Sequence, residues 1–107
     1  MKGDGVGAVE ELMLLAVRAL GDRAYAVAIQ QFIARSTGRD VAIGAVYAAL
    51  DRLEHKGYLR SEFGDPTPVR GGKPKRVYCA TPLGTRTVRE MRAQREAMWR
   101  AIRATGQ

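Results

Sequence analysis

At Gly57 the spacing of apolar residues changes from helical to alternating, and near Thr81 it changes back. Upstream, "AVEELMLLAVRAL" (residues 8–20) places Val9, Leu12, Met13, Leu15, Ala16 and Leu20 at helical spacing, with Leu14 and Val17 adding apolar character beside that stripe. Glu10 and Glu11 fall in its first turn, where the helix dipole favours acids. Gly21 suits its C-terminus, and Asp22 is placed to cap a second helix, "RAYAVAIQQFIARST". That helix puts Tyr25, Ile29, Phe32 and Ile33 on one face and ends at Gly38. After "RDVA", a third stripe of Ile43, Val46, Tyr47, Leu50 and Leu53 runs up to Gly57.

Downstream, "YLRSEF" and "RVYCAT" read as two strands. The segment between them, "GDPTPVRGGKPK", is too rich in glycine and proline to lie inside an element. Thr81 then caps a last helix with Pro82 at its first position. The expected fold is mainly α with a small β-hairpin: three helices, a hairpin with a basic tip, and one further helix. This is the order of a winged helix-turn-helix with an additional C-terminal helix. The division expected is a flexible N-terminus over 1–8, a winged domain over 9–81 and the C-terminal helix over 82–107.

At 107 residues the chain suffices for one modest core. No run approaches the roughly 18 apolar residues of a membrane span, and "MKGDGVGAVEE" lacks the apolar stretch of a secretory signal. The net charge of +7 is uneven: residues 1–51 carry five Lys/Arg against six Asp/Glu, and residues 52–107 carry thirteen against five. A basic half implies a polyanionic partner, and the order of elements selects nucleic acid.

Two stretches go further. "GAVYAALDRLEHKGYL", followed by "GDPTPVRGGKPKRVY" and "TPLG", resembles the PadR family of bacterial transcriptional regulators across about residues 9–100. The resemblance implies a homodimeric, cytoplasmic repressor that binds double-stranded DNA. It implies a recognition helix over 43–56, a wing over 64–76, and dimerisation through the last helix and the first. Ala42 departs from the serine common in relatives and removes a side-chain cap, and Ala26 stands where glycine is common.

On the third helix, the face opposite the apolar stripe collects Gly44, Ala45, Ala48, Ala49, Arg52 and Lys56. So bare a face suits close approach, to a major groove or to another helix, and the neighbouring cations favour the groove. Gly44, Ala45, Ala48 and Arg52 are therefore candidate DNA contacts. Tyr47 lies at the stripe's edge, and the resemblance implies that its hydroxyl meets a phosphate. In the wing, Arg70, Lys73, Lys75 and Arg76 would neutralise phosphates, while Gly71 and Gly72 permit close approach.

The last helix interleaves arginines with a narrow seam of Val88, Met91, Met98 and Ile102, as dimer helices do. Leu12 and Leu15 of the first helix join this candidate interface. Arg95 falls on the seam and requires an acidic partner, which a second copy could supply. Trp99, with Leu15, Met91 and Met98, is a candidate slot for a small aromatic effector, as the resemblance implies for some relatives. The alternative is that Trp99 packs against the partner's first helix.

Catalysis finds little support. His55 is the only histidine and sits at a helix end, and Cys79 reads as a small core residue. There is no metal-ligand spacing, no phosphate loop and no paired-carboxylate motif, so neither cofactor nor metal is expected. The remaining rival is a winged helix that binds proteins, or an architectural DNA binder without sequence preference.

Overall fold

The computed structural model describes residues 5–64 and 74–106. The order is α1 (Ala8–Leu20), a 3-10 turn (Gly21–Arg23), α2 (Ala26–Thr37), α3 (Ile43–His55), β1 (Leu59–Phe63), β2 (Arg76–Ala80) and α4 (Pro82–Ala104). Helices α1, α2 and α3 enclose one core, to which Met13, Leu14, Ile29, Ile33, Val46, Leu50 and Leu53 contribute. The hairpin closes it with Leu59 and Tyr78.

Helix α1 begins and ends where its residues dictate. The Glu10 carboxylate reaches back to accept from the Gly7 amide at 3.0 Å, satisfying one orphan donor of the first turn. Gly21 ends the helix at φ 61°, a conformation open to glycine at little cost. The buried face is Met13, Leu14, Ala16 and Val17, so the residues set beside the expected stripe belong to its centre, and Leu15 is exposed.

The second helix starts later than its pattern implies. Asp22 lies in the 3-10 turn, and Tyr25, extended at φ −108° and ψ 163°, holds the N-cap position of α2. The cause is tertiary. Ala24 is buried, and its carbonyl accepts the Tyr78 amide of β2 at 2.8 Å, which keeps this stretch extended against the hairpin. At the other end of α2, Gly38 takes φ 76° and its amide meets the Ala34 carbonyl.

Strands β1 and β2 are antiparallel, with Leu59 opposite Ala80 and Phe63 opposite Arg76. Alternation along β2 sends Tyr78 inward and Cys79 outward, so the cysteine is exposed rather than a core residue.

Helix α4 is fastened at its start. Thr81 Oγ1 accepts the Gly84 amide at 3.1 Å and donates to the Gly57 carbonyl at 2.7 Å. Gly84 lies so close to the hairpin entry that a Cβ there would sit 2.1 Å from the Tyr58 carbonyl oxygen. Four residues on, Val88 is buried in the protomer's own core, so it anchors α4 to α1 and is not open to a second copy. Beyond Met91 every described residue of α4 is exposed.

Candidate nucleic-acid interface

The buried residues of α3 are Val46, Ala49, Leu50 and Leu53. At about 100° per residue, their centre lies near Leu53, and the face directly opposite is Gly44, Ala48, Asp51 and His55. Those four side chains are exposed. The outward face is thus rotated from the one read in the sequence: Ala49 belongs to the core, and Ala45, Arg52 and Lys56 lie on the flank toward α1. The sequence stripe misled because Ile43 and Tyr47 are apolar in kind yet exposed, Tyr47 at 48%. Ala42 gives α3 no side-chain cap.

On the α1 flank, two cations meet one buried acid. Glu10 is 5% exposed. Its carboxylate accepts Arg52 Nε at 2.9 Å and lies 3.3 Å from Lys56 Nζ, which also donates to the Gly5 carbonyl at 3.0 Å. Burial works to raise the Glu10 pKa, but the Gly7 amide, Arg52 and Lys56 outweigh it and hold the carboxyl below the ordinary glutamate value.

The other flank faces the root of the wing. Tyr25, Val27, Gln31, Tyr47, Phe63 and Lys75 line a groove of about 640 Å³. Lys75 Nζ lies 4.0 Å from the centroid of the Tyr25 ring, within cation–π range, and has no carboxylate partner among the described residues. Arg76 is differently placed: its Nε donates to Ser61 Oγ at 3.0 Å, and Ser61 donates to Glu54 at 2.7 Å. Its guanidinium also lies 3.8 Å from Glu54, tying the wing root to the end of α3. Gly64 donates to the Lys75 carbonyl at 2.7 Å, which continues the hairpin beyond Phe63. Arg70, Gly71, Gly72 and Lys73 lie outside the described residues.

Tyr25, Gln31 and Phe63 escaped the sequence reading of this site. Tyr25 sat within the apolar stripe assigned to α2, and Phe63 ended a strand that alternation alone would bury. Its 67% exposure makes it the larger surprise. The available signal was its position next to the glycine that opens the wing.

On α4, Arg95 finds its acid within its own chain: Nε donates to Glu11 of α1 at 3.0 Å, and a terminal nitrogen pairs with the second oxygen. This pairing keeps the arginine firmly charged. Leu15, Met98, Trp99 and Ile102 are exposed, Met98 at 69% and Trp99 at 59%, with Leu12 and Met91 half-buried beside them. Among the described residues no cluster of His, Cys, Asp or Glu could hold a metal ion, and no helix is long and apolar enough to cross a membrane.

Solved structures share this fold. The chain is similar to a PadR family transcriptional regulator from Eggerthella lenta, at 29% identity and a TM-score of 0.68, covering 88% of this chain and 80% of that one. It is similar in fold to a transcriptional regulator from Clostridium thermocellum, at 24% identity and a TM-score of 0.71, covering 90% and 87%. A PadR-like transcriptional regulator from Bacillus cereus matches at 15% identity and a TM-score of 0.72, covering 94% and 93%. No curated protein matches the sequence. The family model for PadR-like transcriptional regulators matches residues 14–90, from the core of α1 to the buried start of α4. With that span matched and the same helices and hairpin in place, the chain belongs to the PadR-like family of transcriptional regulators.

Proposed function

We propose that this DNA-binding regulator acts as a homodimeric repressor on an inverted-repeat operator. The observation that carries the reading is α3 and its two flanks: a bare face of Gly44 and Ala48, Arg52 on one side, and on the other Lys75, which has no carboxylate partner among the described residues. Small side chains let a helix backbone approach base edges in a groove about 12 Å wide. Ala45 and Tyr47 border that face. Tyr47 and Lys75 would meet phosphates, as would Arg70 and Lys73 of the wing, with Gly71 and Gly72 allowing the approach. Arg76, tied to Glu54 and Ser61, would orient the wing and add charge.

One recognition helix reads few base pairs, and specific affinity generally needs two. The exposed apolar side chains of α4 favour a second copy as the source of the other. Met91, Met98, Ile102, Leu12 and Leu15 would form that contact, with the Arg95–Glu11 pair at its edge. A planar aromatic effector between Trp99, Leu15, Met91 and Met98 would act by favouring one spacing of the two α3 helices over another.

The test is a titration of duplexes enriched from a random library against unselected duplex, at several salt concentrations. A repressor of this kind binds the enriched sequence about a thousandfold or more tightly. Equal affinity for both would identify an architectural binder. No binding to either would favour a protein partner.

A further inference from the structure

The acid at the start of α1 treats its two cations differently. Lys56 is fully engaged: its ammonium touches both Glu10 oxygens at 3.3 Å and the Gly5 carbonyl at 3.0 Å. Arg52 meets the same carboxylate through Nε alone, at 2.9 Å, and its side chain is 54% exposed. Nothing among the described residues meets its two terminal nitrogens. Arg95 shows the contrasting case, in which Nε and a terminal nitrogen both close on Glu11. One arginine is thus sealed by its acid, and the other is held at its neck with its fork open.

We propose that Glu10 is a positioning residue for sequence readout, gripping Arg52 at Nε so that its terminal nitrogens are presented together to one base edge. The chemistry that such a fork recognises is the paired acceptors O6 and N7 of guanine. The proposal rests on the reading of α3 as the recognition helix. An arginine free to rotate loses side-chain entropy when it docks; one already gripped by a buried acid loses less. Glu10 can serve this way because the Gly7 amide and Lys56 fix the carboxylate itself. Helix α1, not α3, therefore sets where the arginine of α3 can reach.

The experiment uses the full chain and a random duplex library. Wild type and Arg52→Ala are selected in parallel, and the base pair whose preference Arg52→Ala loses is changed in a test duplex. Wild type should favour the unchanged duplex about tenfold or more. Glu10→Gln should lose most of that ratio while still binding DNA, and adding it to Arg52→Ala should lower the ratio no further. Glu11→Gln should keep the ratio. Arg52→Lys, which retains charge but lacks the fork, should lose it too, so that a retained ratio in this variant overturns the proposal even where Glu10→Gln does not fold by circular dichroism. The proposal is overturned if Glu10→Gln weakens both duplexes equally, or if Arg52→Lys discriminates as wild type does. If wild type enriches no sequence, the reading of α3 itself fails, a result distinct from either.

Discussion

Helices α3 and α4 carry apolar stripes of the same kind and use them in opposite ways. The stripe of α3 closes on Val46, Leu50 and Leu53 inside its own chain, and apart from Ile43 and Tyr47 what remains outside is small or polar. After Val88, α4 turns its stripe outward: Met98, Trp99 and Ile102 are exposed, and the helix runs past the core that fastened its first turns. Helical spacing announces that an apolar face exists. It does not say which molecule covers it. On the function proposed above, the covered stripe would position a reading helix, and the open one would offer a surface for pairing two such helices.

The sharpest way to break the comparison is to damage both stripes equally. Leu50→Ala should destabilise the fold by about 2–5 kcal/mol in urea, because a fully buried leucine leaves a cavity. Gly84→Ala should cost about 1–3 kcal/mol as overpacking, since its Cβ would meet a backbone carbonyl rather than a yielding side chain. Trp99→Ala removes a larger side chain than Leu50→Ala does, yet should leave the folded protomer intact by circular dichroism. Its effect should appear on dilution, as dissociation at concentrations where wild type stays paired. A loss of protomer stability matching that of Leu50→Ala would place Trp99 in the fold itself.

A smaller effect separates the two cations at the root of the wing. Lys75→Ala should weaken binding to all duplexes and flatten the slope of log affinity against log salt by about one unit. Arg76→Ala should flatten it less, because Glu54 already balances part of that charge. Equal slopes would mean that the Arg76–Glu54 contact does not persist on DNA.

The smallest effect is a pH dependence. The Gly7 amide, Arg52 and Lys56 hold the Glu10 carboxyl below the ordinary glutamate value of 4.5, so its contribution to stability is present above that value and is lost as pH falls through the lower, folded value. Glu10→Gln should therefore reduce the acid-side loss of stability below about pH 4.5, as followed by thermal unfolding at stepped pH. An unchanged acid limb would show that other carboxylates carry it.

Much of this was legible in the sequence, and the misses share a cause. Gly21, Gly38, Gly57 and Thr81 mark their boundaries correctly, because turns and caps are local chemistry. The start of α2 was not, because the hydrogen bond from Tyr78 to Ala24 links residues far apart in the chain. Partners of charged residues fared likewise. Arg52 was read only as a candidate DNA contact, and it meets an acid, Glu10, two helices away. Arg95 suggested a partner in another chain and found Glu11 in its own. Tyr47 and Cys79 show the remaining difficulty: an apolar residue within a regular pattern can still face outward, and only packing decides which side the core takes.

The claim that a second copy covers the open stripe of α4 and thereby pairs two reading helices is tested most directly by sedimentation velocity, run on the full chain alone and with a selected duplex. The account predicts two chains per particle at micromolar concentration in both states, on a site whose half-site centres lie about one helical turn, or a multiple of it, apart. A single chain in both states, or one chain bound to an unrepeated site, would contradict it.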